Sequence, residues 1–198
     1  MRAREFIIEQ DTGAFELRCR SILSKLASLV EPEDRGVIST VDIWISSNPA
    51  DADKIYSSPK ERVVVVDQEE FADAPVEVLI WLLAHEVGHI VMNHRDKISA
   101  QQSQQQELDA DDYATRLTLK LGINKVPVFT WLGRKKDALG RTELERRRAA
   151  ERDPSLQDFW KDRSHPTTDQ RQQRAGQQGM ELSKANTDQI DQLLKHMA

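Results

Sequence analysis

The sequence predicts an α+β fold, mainly helical, with a small β-sheet lying over one apolar helix. A β-branched run, Val63-Val64-Val65-Val66, is followed at once by an apolar stretch of helical length. Amphipathic helical patterns on either side supply the remaining layers. The chain has 198 residues, 28 Lys+Arg against 33 Asp+Glu, and a formal charge of −5. That size suits a single domain over 1–198, with a core at about 11–125 and a helical C-terminal part at about 126–198.

Composition narrows the function classes. Cys19 is the single cysteine, which excludes an internal disulfide and a cysteine-rich zinc site. Any metal must be held by histidine and carboxylate. The acidic balance argues against general nucleic-acid binding, which rests on neutralising phosphates. The apolar run Val78 to Ala84 is far short of the roughly 20 residues that span a bilayer. Met1 to Ile8 has no apolar region of signal-peptide length, so a cytoplasmic location is expected.

Taken in order, Phe15, Leu17, Ile22, Leu23, Leu26 and Leu29-Val30 fall near helical spacing, with Asp11-Thr12 as caps. Val37 to Ile45 is rich in β-branched residues and predicts a strand. Ser46 to Lys60, rich in serine and proline, predicts a loop. Arg62 to Asp67 predicts a second strand, covered on both faces. Asp73 and Pro75 start a buried helix that should reach about Arg95. Gln101 to Gln106 fits a polar loop or a helix lead-in. Glu107 to Leu121 predicts a helix stopped by Gly122. Arg134 to Arg152, highly charged, predicts a solvated excursion, and Leu182 to His196 a last helix.

The chemistry lies in His85-Glu86-Val87-Gly88-His89. Residues four apart share a helix face, so His85 and His89 can present two imidazoles to one metal ion. Glu86 then stands where a carboxylate could take a proton from a water activated by the metal. A zinc site that performs hydrolysis commonly uses three protein ligands. A metzincin third ligand would need glycine at position 92 and histidine at position 95, where the chain has Met92 and Arg95. Glu107-Leu108-Asp109-Ala110-Asp111 is the better source. Glu107 and Asp111 share a face, and Asp109 points roughly the other way. Glu107 could close the site, and Asp111 could accept a hydrogen bond that fixes an imidazole tautomer.

With these segments the chain resembles the gluzincin metallopeptidases of the CAAX prenyl protease and HtpX type. Their pattern is His-Glu-x-x-His followed by Glu-x-x-x-Asp. It is matched by His85 to His89, with His94 five residues on, and by Glu107 to Asp111. A third segment, Ser164 to Arg171, keeps the family's histidine and arginine at His165 and Arg171. The resemblance implies a zincin-like fold, a Zn2+ ion on His85, His89 and Glu107, and Glu86 as general base. It also implies that His165 and Arg171 stabilise the oxyanion, that the part beyond about residue 125 completes the cleft, and that the substrate is a peptide or protein. The membrane spans of many members are missing here. Glu107 to Ala114 also satisfies the Glu-x-x-Ala-x-x-Tyr-Ala pattern of ImmA/IrrE-type peptidases, which is a second resemblance. A reading of another class is a non-catalytic, zinc-binding interaction protein. Oligomeric state is not legible from the sequence.

Overall fold

The computed structural model describes residues 2–46, 55–95 and 98–123, together with Val128, Trp131, Gln173 and Arg174. Within them the chain is α+β, as its patterning predicts. The order is α1 (Arg2–Ala27), α2 (Pro32–Ile38), β1 (Asp42–Ser46), β2 (Ile55–Ser58), β3 (Val63–Asp67), α3 (Gln68–Phe71), α4 (Val76–Val91) and α5 (Ala100–Lys120). The charged stretch from Arg134 to Arg152 and the predicted helix from Leu182 to His196 lie outside the described residues.

The helix α1 buries Phe15, Cys19, Ile22, Leu23 and Leu26 along one stripe. It passes straight through Asp11 and Thr12, so they do not cap it. Arg18 on this helix donates to the carbonyls of Ala72 and Ala74 at 3.0 and 3.2 Å, which fixes the entry into α4.

The predicted strand over Val37 to Ile45 is shorter in the structure. Pro32 at the start of α2, with Glu33 and Asp34 in its first turn, carries the chain helically through Ile38. The strand β1 begins only at Asp42.

The predicted loop from Ser46 to Lys60 is also corrected, because Ile55 to Ser58 form β2. This strand pairs antiparallel with β3, while β1 pairs with β3 in parallel. Among the described residues the sheet order is therefore β1-β3-β2, with β2 at one edge. Val63 to Asp67 in the central strand are all buried, as β-branched residues on both faces predict. By register, Ile43, Val64 and Ser57 form one row and Trp44, Val65 and Tyr56 the next. Trp44 and Tyr56 are exposed, whereas Ile43 and Val64 are buried toward the helices.

The end of β3 runs directly into α3, where the Asp67 carboxylate accepts from the Glu69 amide at 3.1 Å. Helix α4 is then buried on nearly every side and forms the centre of the core. It stops at Val91, before the predicted Arg95, because Asn93 adopts a left-handed backbone with φ 52°.

Helix α5 starts about two turns before Glu107. Ser99 and Gln102 form a capping box, so the glutamine-rich stretch is the first part of this helix. It ends as predicted at Gly122, whose φ of 69° suits a residue without a Cβ. Further along, Val128 is buried in the core and Trp131 packs on Phe71 with ring centroids 5.7 Å apart. Among the described residues, no helix is long and apolar enough to cross a membrane.

Candidate metal centre

The two histidines of α4 lie on the face turned toward α5. Their Nε2 atoms are 3.1 Å apart. Glu107 reaches across from α5, placing Oε2 3.4 Å from His85 Nε2 and Oε1 3.5 Å from His89 Nε2. A donor atom from each residue thus falls within 4.8 Å of the others.

The crossing of the helices allows this reach. Gly88 sits where α4 meets α5, and a Cβ built there would lie 3.2 Å from both Ala110 Cα and Tyr113 Cβ. Glycine on one helix opposite alanine on the other brings the backbones close enough for Glu107 to meet the imidazoles.

A metal fits this donor set. Nitrogen and oxygen ligands lie about 2.0–2.2 Å from zinc. At tetrahedral angles such ligands are about 3.3–3.5 Å from one another, which the observed separations of 3.1, 3.4 and 3.5 Å approach. The electrostatics agree. Glu86, Glu107 and Asp111 are all buried beside the imidazoles, and buried carboxylates require a compensating positive charge. Burial works against a protonated His85, but hydrogen bonds to Asp111 and Glu107 and the charge of Glu86 outweigh it, raising its pKa to about 9. The same field would hold a cation.

Each imidazole is gripped on its far side. His85 Nδ1 is 2.9 Å from Asp111 Oδ1, the partner expected from the Glu107/Asp111 spacing. Trp81, one turn earlier on α4, stacks on the same ring with centroids 5.5 Å apart and planes inclined by 22°. His89 Nδ1 is 2.8 Å from His94 Nδ1. Burial holds the His94 pKa below the ordinary histidine value.

Glu86 is buried and accepts a hydrogen bond of 2.8 Å from the Ser57 hydroxyl on β2. Sequence reasoning missed Ser57. It lies in a stretch read as loop, 29 residues from its partner, and no local pattern announces the contact. Asp109 accepts from Gln105 at 2.7 Å. His165 and Arg171 lie outside the described residues. Arg174, three positions after Arg171, grips the Asp112 carboxylate of α5 through Nε at 2.9 Å and Nη2 at 2.5 Å.

A family model described as Peptidase U49 matches residues 42–192, about three quarters of the chain, from β1 through both histidine-bearing segments. No curated protein and no solved structure matches the chain.

Proposed function

The chain belongs to the Peptidase U49 family, and from that premise we propose that it is a zinc-dependent endopeptidase acting on peptides or proteins. The observation that carries this reading is the convergence of His85, His89 and Glu107, with the Glu86 carboxylate alongside and held by Ser57. A purely structural zinc site has no use for a base at that position.

His85, His89 and Glu107 would hold the ion, and Asp111 would keep His85 oriented as a ligand through Nε2. Zinc bound there would supply Lewis acidity and lower the pKa of water toward neutrality. Glu86 takes one proton from the attacking water as the water oxygen bonds to the scissile carbonyl carbon. It returns that proton to the amine nitrogen as the C–N bond breaks. Ser57 keeps the carboxylate in place for both transfers.

The edge strand β2 carries Ser57, so a peptide pairing with this edge would lie next to the base. His165 and Arg171 would stabilise the oxyanion, as the resemblance to the CAAX prenyl protease and HtpX type implies. The grip of Arg174 on Asp112 supports this, because the chain just after Arg171 is tied to the ligand helix. Asp111 against His85 also favours that resemblance over the ImmA/IrrE type.

The test is zinc analysis together with casein cleavage by the wild type and Glu86→Gln. The variant should keep its zinc and lose about 10²–10⁴-fold in cleavage rate. Undiminished cleavage would remove the general-base assignment. A wild type that takes up no zinc would remove the metal reading.

A further inference from the structure

We propose that His94 is a positioning residue, which locks His89 in the tautomer and orientation of an Nε2 metal ligand. The inference rests on the metal reading above and adds a residue that the ligand pattern leaves without a role.

Helix α4 ends in a Schellman arrangement: the His94 amide donates to the His89 carbonyl at 3.0 Å, and the Asn93 amide to the Ile90 carbonyl at 3.1 Å. Asn93 supplies the left-handed residue, φ 52°, that this closure needs. The turn folds the chain back over the last turn of α4, so His94 returns beside the histidine that its own amide caps.

The two rings meet edge to face, with centroids 4.8 Å apart and planes at 80°, and their Nδ1 atoms are 2.8 Å apart. That contact has two possible proton arrangements. If His94 donated, His89 would carry its own proton on Nε2, the atom facing Glu107 and His85, and could not bind a metal there. If His89 donates from Nδ1 and His94 accepts, Nε2 of His89 presents its lone pair to the ion. A metal on Nε2 therefore selects the second arrangement, with His94 as acceptor.

The outcome mirrors the other ligand. His85 is pinned at Nδ1 by Asp111 from α5, and His89 is pinned at Nδ1 by His94 from the helix's own C-terminal turn. Both imidazoles are thereby aimed through Nε2 at Glu107. Partners of this kind around ligand histidines typically change metal affinity by about 10–100-fold when removed.

Zinc affinity of the full chain tests this without any substrate, by competition between the metal-stripped protein and a chromophoric zinc chelator. His94→Ala should raise the zinc dissociation constant about 10–100-fold while the urea midpoint of the metal-free protein stays near wild type. His94→Asn places an amide oxygen close to the lost Nδ1 acceptor and should recover most of the affinity. Asn93→Gly, which accepts the left-handed backbone, should bind zinc like the wild type. An unchanged dissociation constant in His94→Ala, with the wild type binding zinc, would overturn the proposal. So would equal losses of affinity in His94→Ala and His94→Asn that track a fall in metal-free stability, since His94 would then be only a packing residue. A wild type that binds no zinc would instead sink the metal reading itself.

Discussion

Gly88→Ala adds one methyl group where the two ligand-bearing helices touch. The new carbon would lie 3.2 Å from Ala110 Cα, 3.2 Å from Tyr113 Cβ and 3.4 Å from the Ala110 carbonyl oxygen. Carbon atoms in good contact are about 3.5–4.0 Å apart, so the helices must separate by about 0.5 Å. Ala110 offers backbone in mid-helix, and a flexible side chain cannot absorb the strain there. Overpacking of this kind costs about 1–3 kcal/mol, offset by up to about 1 kcal/mol from replacing a mid-helix glycine with alanine. A net loss of about 0–3 kcal/mol follows. The metal site should suffer more. Glu107 and Asp111 ride on α5 and the imidazoles on α4, so separation opens the 3.4 and 3.5 Å gaps by a similar amount. Metal–ligand distances tolerate only about 0.2 Å, and the zinc dissociation constant should rise about tenfold or more. Urea unfolding of the metal-free protein measures the first effect and chelator competition the second. A Gly88→Ala protein that gains stability and binds zinc like the wild type would refute the idea that this close approach sets the site.

Glu107→Gln should lower zinc occupancy after dialysis, whereas full occupancy would point to a different third ligand. Because His85 is raised to about 9 without metal, zinc must displace a proton at lower pH. Apparent affinity should climb by about tenfold per pH unit between about pH 6 and 8, and a flat profile would contradict that proton. In the metal-free protein the same raised pKa contributes stability that is complete below the unfolded imidazole value of about 6.5 and is lost as pH rises through about 9. Ser57→Ala removes a hydrogen bond to a carboxylate worth about 1.5 kcal/mol or more. It should therefore cut casein turnover by about tenfold at unchanged zinc content, and equal turnover would strip Ser57 of its part in holding the base. The pair Arg174 and Asp112 is partly exposed, so Arg174→Ala should cost no more than about 1 kcal/mol of stability. It should still reduce cleavage if the neighbouring Arg171 works at the site, and full activity would detach that segment from the mechanism.

The parts of this fold that the sequence makes legible are those governed by local repetition. Helix α4 is nearly continuous apolar sequence of helical length, β3 is an unbroken β-branched run, and α5 ends on a glycine that the left-handed closing turn favours. The paired imidazoles belong with them, because a spacing of four on a helix fixes a common face whatever surrounds it. Asp111 became readable only through its spacing from Glu107, once a second helix was set against the first. What escaped is set by contacts distant along the chain or by single backbone angles. Ile55-Tyr56-Ser57-Ser58 carries too few β-formers to stand out from a serine- and proline-rich stretch, and it is a strand because β3 offers it an edge. Val37 and Ile38 favour strands in isolation, yet Pro32 and the acids after it start a helix that takes them in. Asn93 ends α4 by adopting a conformation that only some asparagines take, so apolar patterning alone carries the helix past it to Arg95.

These escapes share a location. The edge strand brings Ser57 to the base, and the turn at Asn93 brings His94 to a ligand. Sequence spacing places the ligands themselves, because a helix supplies their geometry without help. The groups that hold those ligands and the base must approach from the far side of each ring or carboxylate, where the same helix cannot reach. They come from another strand, another helix or a reversed turn, so Ser57 and His94 become visible only once the chain is folded.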